Sequence, residues 1–365
     1  MMAIARLAAV LLAVVGLSGC ADLGYYWQSV SGQVQVMAAA RPVDDWLADP
    51  HTPAALKARL ELSQRIRRFA VTNLGEPDNA SYHRYADLHR SAVVWNVVAT
   101  TEFSLTLKTW CFPVAGCVGY RGYFHEAAAQ SEAARLKAQG LEVSVYGVPA
   151  YSTLGWLNWA GGDPLLNTFI NYPEGELARI IFHELAHQVL YAPGDTVFNE
   201  SYATSVELMG SARWLAERAS PAAREEYARY EARRQQFRAL TTATRRQLAD
   251  VYKGNKTSAA DKSDMLALKN RAMQEFRDHY ATLKASWGGY AGYDRWVAGA
   301  NNASFGALAF YDELVPEFEA LFAREGNSWP RFYDAVKRLA ALPKDERIQA
   351  LDKMVGPLHK ETHGG

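Results

Sequence analysis

Apolar residues recur at helical spacing in several separate stretches of the chain. The pattern predicts helices over residues 25–47, 53–74 and 125–139. From residue 174 to about residue 355 the same spacing continues with few interruptions. Helix is therefore expected to dominate the second half of the chain.

Two stretches have the alternation and the β-branched and aromatic content of strands. Residues 91–108 predict one or two strands, and residues 141–147 predict another. The strand-containing part is expected over about 85–173 and the helical part over about 174–355. Strands followed by helices predict an α+β fold that is mostly helical, with a small N-terminal sheet and a helical C-terminal half.

The composition narrows the class of protein. Among 365 residues, 49% are hydrophobic and 21% are charged, which is typical of a packed globular chain and not of a disordered one. Lys and Arg number 39 and Asp and Glu number 39, so no basic excess favours binding to nucleic acid. A mean hydropathy of −0.21 excludes a protein with many membrane spans. Any membrane association has to be local.

The N-terminus has the pattern of an export signal. Arg6 precedes an apolar run, Leu7 to Leu17, that is shorter than the roughly 20 residues a membrane span needs. The following Ser18-Gly19-Cys20 completes a stretch that resembles a bacterial lipobox. The resemblance implies that residues 1–19 are a lipoprotein signal peptide and that Cys20 is acylated. The alternative is a plain secretory signal cleaved nearby.

The expected location has a consequence for the other two cysteines. Ala21 follows Cys20, which resembles the pattern of lipoproteins carried to the periplasmic face of the outer membrane and held there by the lipid anchor. The periplasm is oxidising, so Cys111 and Cys117 are expected to form a disulfide. The turn residues Pro113 and Gly116 lie between them. A metal site, the alternative, needs two more soft ligands, and none is obvious.

The clearest chemical motif is His183-Glu184-Leu-Ala-His187, within an apolar helical pattern. Histidines four residues apart project from the same helix face, one turn apart, and can hold one Zn²⁺. Glu184 lies about 100° around the helix from His183. From there it can reach water on the ion without being a ligand.

Glu200 is the expected third ligand. It follows His187 by thirteen residues and begins the next predicted helix, so its carboxylate can fold back towards the two histidines. Two histidines, one glutamate and an open position describe a catalytic zinc site, whereas structural sites are closed by four protein ligands. The alternative is that Glu200 only stabilises a helix N-terminus.

Together these motifs resemble a known class of enzyme. His183–His187 followed by Asn199-Glu200 resembles the gluzincin metallopeptidases, and the wider chain resembles a bacterial predicted-aminopeptidase lipoprotein family. The further matching stretches are the lipobox and residues 110–123, 150–156, 163–166 and 315–318. The resemblance implies a zinc metallopeptidase domain over residues 20–365 with a zincin-like catalytic core and a peptide or protein substrate. It assigns His183, His187 and Glu200 as ligands of one Zn²⁺ and Glu184 as the general base.

The expected mechanism is hydrolysis by water that the zinc ion activates. Glu184 takes the proton from that water and passes it to the leaving amine. The tetrahedral oxyanion also needs a hydrogen-bond donor. Candidates, which can equally serve packing or capping, are Tyr290, Tyr293, Asn301 and Asn302. Residues 151–159 are either an edge strand that pairs with substrate or an aromatic core strand.

The chain departs from the thermolysin-like pattern at one position. Thr204 stands where those gluzincins have an Asp that orients a ligand histidine, and Glu207 and Asn199 are the alternatives for that role. An aminopeptidase also needs an acid for the substrate's free amine. The candidates are Asp163, Glu174 and Glu176.

Three functions are open at this point. The first is a zinc peptidase of the cell envelope, an aminopeptidase by the resemblance. The second is a zinc endopeptidase for quality control of envelope proteins. The third is a lipid-anchored binding scaffold with a structural zinc site, against which the intact Glu184 argues because a scaffold needs no general base.

Overall fold

The computed structural model describes residues 24–112, 116–253, 259–308 and 314–354. The expected signal peptide and Cys20 lie outside these ranges. Within the described ranges, no helix has both the length and the apolar character needed to cross a membrane.

Helices form most of the described chain, as predicted. Numbered in chain order, they are α1 (24–39), α2 (Val43–Ala48), α3 (Ala54–Leu74), α4 (Glu126–Ala138), α5 (Glu174–Val189), α6 (Thr196–Glu217), α7 (Pro221–Tyr252), α8 (Ala259–Ser286), α9 (Asp294–Ala298), α10 (Asn302–Ala307), α11 (Val315–Arg324), α12 (Trp329–Ala340) and α13 (Lys344–Asp352). The strands are β1 (Arg41–Pro42), β2 (Arg84–Ala86), β3 (Val94–Thr100), β4 (Trp110–Phe112), β5 (Gly116–Val118), β6 (Arg121–Tyr123), β7 (Glu142–Val148) and β8 (Leu165–Leu166). The prediction of an α+β, mostly helical fold is confirmed.

Two predicted elements differ in extent. The helix expected over 25–47 is divided into α1 and α2, because Pro42 has no backbone N–H to continue the helical ladder. The strand expected over 91–108 ends at Thr100. There the Thr100 hydroxyl donates to the Thr106 carbonyl at 2.6 Å and bends the chain.

The largest sheet is antiparallel, with the strand order β6-β3-β7. Successive side chains of β3 point to opposite faces. Trp95 and Val97 belong to the cluster that packs on α4, whereas Val94 and Asn96 line a cavity on the other face. The sheet therefore separates a small core from the cavity.

Two smaller pairings complete the strands. β2 lies between β1 and β8, and β4 pairs with β5 as a hairpin. Cys111 and Cys117 lie opposite each other in that hairpin and form a disulfide, which confirms the predicted pair.

Helices α5 and α6 form a helical hairpin in the main core. Asp195 caps α6 by accepting from the Phe198 N–H at 3.3 Å. The Asn199 amide closes the turn, because it accepts from the Ala192 N–H and donates to the Ala192 carbonyl, each at 2.8 Å. A short closed turn places the two helices side by side.

Candidate metal centre

Three side chains from α5 and α6 converge on one point. The Nε2 atoms of His183 and His187 are 3.2 Å apart. Glu200 Oε2 lies 3.4 Å from His183 Nε2, and Glu200 Oε1 lies 3.8 Å from His187 Nε2. These residues form a group that could hold a metal ion. The structure thus brings together all three ligands that the sequence suggested.

The charges in this group are unequal. Burial lowers the pKa of His187 to about 4, so its ring is neutral at physiological pH. Burial also opposes a charge on His183, but contacts with Glu200 and Glu207 outweigh it and raise the pKa of that ring well above its usual value. Burial raises the pKa of Glu200, yet the two histidines bring it below its ordinary value.

Glu207 lies behind His183. Its Oε2 atom is 3.0 Å from His183 Nδ1, the ring nitrogen on the side away from Glu200. Arg179 donates to the same carboxylate from Nε at 3.1 Å and to Glu231 from Nη1 at 3.2 Å. Although burial raises the pKa of Glu207, Arg179 and His183 bring it down to about 2. Two residues were considered for orienting one of the histidines. Glu207 contacts the His183 ring, whereas the Asn199 side chain is hydrogen-bonded to Ala192 in the turn.

Glu184 is buried in the same helix and lines the same cavity as the histidines. The pKa of its carboxyl group is raised to about 8, mainly by burial. The charge of His183 lowers this pKa, and the charge of Glu200 raises it further. A carboxyl group with a raised pKa, next to side chains that could hold a metal ion, is typical of a proton-transferring group.

The cavity in front of these residues has a volume of about 680 Å³. One wall is the α5–α6 hairpin, and another is the sheet face that carries Val94 and Asn96. Further lining comes from α1, the β4–β5 hairpin, residues 148–152 and 154, and five single residues: Tyr120, Gly122, Phe124, Tyr191 and Arg238. The volume is in the range of sites that enclose a small ligand or several residues of a peptide.

The acids proposed for a substrate amine have other partners. Asp163 is buried and accepts hydrogen bonds from Thr153 N at 3.0 Å and from Gln188 Nε2 at 3.0 Å. Glu174 accepts from the Trp214 indole at 3.0 Å, and Glu176 pairs with Arg234. None of the three is among the described residues that line the cavity.

The proposed oxyanion donors lie elsewhere as well. Tyr293 stacks on Phe237 of α7 and Tyr290 packs against Tyr293, and neither tyrosine is among the described residues that line the cavity. Asn301 caps α10, and Asn302 donates to the Glu102 carbonyl at 2.7 Å. The expectation of a strand over 151–159 is wrong. Leu154 and Gly155 have φ angles of 56° and 76°, which turn the chain.

Sequence reasoning missed the aromatic part of the cavity wall. Tyr120 and Tyr191 line this wall. Burial and the negative charge of Glu200 raise the pKa of both hydroxyl groups. Burial and then Glu200 raise the pKa of Tyr120 well above its ordinary value, so its hydroxyl remains a donor. No motif marks these tyrosines, because only the fold brings them to Glu200.

Comparison with known proteins agrees with this geometry. Residues 24–351 match the model of a family described as "Putative aminopeptidase". The chain belongs to this family. Membership supports a peptidase activity and peptide substrates. Searches among curated proteins and among solved structures each returned no match.

Proposed function

We propose that the protein is a zinc-dependent peptidase with a zincin-like catalytic core, and that it is an aminopeptidase as its family description suggests. The observation that carries the proposal is the convergence of His183, His187 and Glu200, with Glu184 on the same cavity wall. Two histidines and a glutamate are the ligand set of catalytic zinc sites that keep one position open.

The spacing of the donor atoms supports a zinc ion. Tetrahedral ligands at about 2.0–2.1 Å from Zn²⁺ are roughly 3.3 Å from one another. The separations between the three side chains, 3.2, 3.4 and 3.8 Å, are close to that value. Three polar groups at these distances, one of them the buried and neutral imidazole of His187, suit a divalent cation.

The side chains around the ion would each have a separate role in hydrolysis. When bound, zinc would supply Lewis-acid polarisation of the scissile carbonyl and of the attacking water. Glu184 would accept a proton from that water and donate it to the departing amine. Glu207 would fix the His183 ring through Nδ1 and leave Nε2 free for the metal. The Tyr120 hydroxyl, on the cavity wall near Glu200, would donate to the developing oxyanion.

The variant Glu184→Gln tests this function most simply. It should retain zinc and fold but lose at least about 100-fold in turnover of a peptide, because the amide cannot accept the proton. Glu217→Gln, an exposed position on α6 paired with Arg213, is the matched control and should keep full activity. Zinc content by mass spectrometry and peptide cleavage are the measurements. Unchanged turnover in the Glu184 variant would exclude the mechanism.

A zinc endopeptidase is the second candidate. It is favoured by one observation: among the described cavity-lining residues the carboxylates are Glu184, Glu200 and Glu207. Glu200 and Glu207 contact His183, and Glu184 is proposed for proton transfer, so none is left for a substrate amine. Matched peptides with free and with acetylated N-termini distinguish the candidates. An aminopeptidase cleaves only the free peptides, and an endopeptidase cleaves both. A binding scaffold cleaves neither, with or without chelator.

We also propose that the protein is an exported lipoprotein held at the periplasmic face of the outer membrane through Cys20. The lipobox sequence, Leu17 to Cys20, supports this location. Labelling of cells with radioactive palmitate should mark the chain, and Cys20→Ala should remove the label. A labelled Cys20 variant would rule out this anchor.

A further inference from the structure

The outer surface of α1 is apolar and carries no charge. The segment 24–40 contains no Asp, Glu, Lys or Arg. Trp27, Val30 and Val34 share the solvent side of α1 and are 73%, 59% and 60% exposed. The opposite side faces inward, because Tyr25 and Ser29 line the cavity. An exposed helix face in a soluble protein normally carries charged groups, so this face is expected to have a partner.

A second uncharged segment lies beside α1. Residues 149–162 also contain no charged side chain, and Trp156 and Trp159 are 64% and 86% exposed. Arg84 joins the two segments: it donates to the Met37 carbonyl of α1 at 3.1 Å and to the Ala160 carbonyl at 3.4 Å. We call these five side chains the uncharged patch: Trp27, Val30, Val34, Trp156 and Trp159.

The patch borders the catalytic cavity. Tyr25 and Ser29 of α1 and Ser152 and Leu154 of the second segment line the cavity, although the five patch side chains do not. Several large exposed apolar side chains on two neighbouring segments are typical of an interaction site. Because the patch lies beside the cavity, a partner bound to the patch would be close to the place where substrates enter.

We propose that the uncharged patch lies against the surface of a lipid bilayer. This inference rests on the proposed acylation of Cys20, which is four residues before the first residue of α1. Four residues extend at most about 14 Å, so an acylated Cys20 holds the start of α1 next to the membrane. Tryptophan is the residue most suited to the headgroup region, where its ring meets apolar chains and its N–H meets water.

The consequence is that the cavity is held at the membrane surface. The substrates this arrangement favours are peptides that are themselves bound to the bilayer. Because the patch has no charge, its attraction to lipid should come from apolar contact and should be insensitive to salt.

Binding to vesicles tests the proposal separately from the lipid anchor. The mature chain from residue 20 onwards is made without acylation as Cys20→Ser, and its sedimentation with uncharged phosphatidylcholine vesicles is measured at low and at high salt. Three versions of the chain are compared: the parent, a variant with Trp27→Ser, Val34→Ser and Trp159→Ser, and a control with Leu266→Ser and Leu268→Ser. The control leucines are exposed on α8, outside the patch.

We expect the parent and the control to bind at both salt concentrations, and the patch variant to bind at least about tenfold more weakly. Turnover of a soluble peptide should be equal in all three, which also shows that the variants are folded. Absent vesicle binding by the parent, or equal binding by the patch variant, overturns the proposal. A dimer of the parent that the patch substitutions dissociate would instead assign the surface to a second copy of the chain. Palmitate labelling decides the anchor on its own, and cleavage decides the activity, so the three claims can fail independently.

Discussion

Glu207 lies outside the group formed by His183, His187 and Glu200, but it contacts one of the rings in that group. Its contact with His183 Nδ1 leaves the Nε2 atom directed at the point where Glu200 and His187 meet. Arg179 keeps the Glu207 carboxylate ionised, as the lowered pKa of Glu207 indicates. A histidine fixed in this way loses little freedom on binding a metal.

Replacing Glu207 with Gln should therefore weaken zinc binding by about 10–100-fold while His183, His187 and Glu200 remain present. The amide has the same size but no charge to hold either His183 or Arg179. Competition with a zinc chelator of known affinity measures the change. Glu217→Gln, on the same helix but at the surface, is the control and should bind zinc as the parent does. Equal zinc affinity in the two variants would contradict the assigned role.

At this scale the sequence predicted correctly that His183, His187 and Glu200 come together, and it predicted the surroundings of these side chains less well. The spacing of His183 and His187 determines their common face, whatever the rest of the fold does. The choice between Glu207 and Asn199 depends on the rotation of α6 against α5, which no local pattern encodes. The oxyanion candidates failed for the same reason, because the position of Tyr290 and Asn301 depends on how distant helices pack.

Among the elements, the β4–β5 hairpin has a specific relation to the metal group. A Cβ atom at Gly116 would lie 2.5 Å from the backbone nitrogen of Gly194, in the turn that joins α5 to α6. The hairpin, closed by its disulfide, thus packs directly on the connection between the helices that carry His183, His187 and Glu200. Its backbone needs a glycine there for a second reason, since the φ angle of Gly116 is 72°.

Gly116→Ala should destabilise the protein by about 2–4 kcal/mol, from a φ penalty of about 1 kcal/mol and a displaced backbone. It should also speed the loss of zinc, because the turn between the ligand helices shifts. Gly140→Ala is the control, because it carries the φ penalty alone. Gly140 has a φ angle of 80°, but an added Cβ would meet nothing within 4 Å. Urea unfolding and zinc dissociation into a chelator measure both quantities. If the two variants behave alike, the contact with Gly194 does not matter.

The long periodic helix α3 was predicted nearly to the residue, because Pro53 before it and Gly75 after it are local signals. The two strands whose extent was predicted wrongly are determined by hydrogen bonds and turns that the sequence pattern did not show. Side-chain hydrogen bonds of Thr100 end β3, and the turn at Leu154 and Gly155 replaces the strand expected over 151–159. β-Branched and aromatic content favoured strand over 91–108, and the position of 151–159 before α5, where zincins have an edge strand, favoured strand there. The competing interactions became visible only in the structure.

At the scale of the whole molecule, the metal group lies between helices that also form the main core. A ligand that binds only the folded state stabilises it, by about 2.7 kcal/mol at 100 times its dissociation constant. Zinc at that excess should raise the free energy of unfolding by about this amount, as measured in urea with zinc and with chelator. In Glu200→Ala the increment should be much smaller. Identical unfolding curves with and without zinc would mean that the folded chain does not bind the ion.

The central claim is that one zinc ion is held by His183, His187 and Glu200. Crystals of the protein purified with zinc, measured on both sides of the zinc absorption edge, would locate the ion directly. The expected result is one strong anomalous peak about 2.0–2.2 Å from His183 Nε2, His187 Nε2 and a Glu200 carboxylate oxygen, with no fourth protein ligand. A peak at another place, a fourth protein ligand, or no peak between the three side chains would contradict the account.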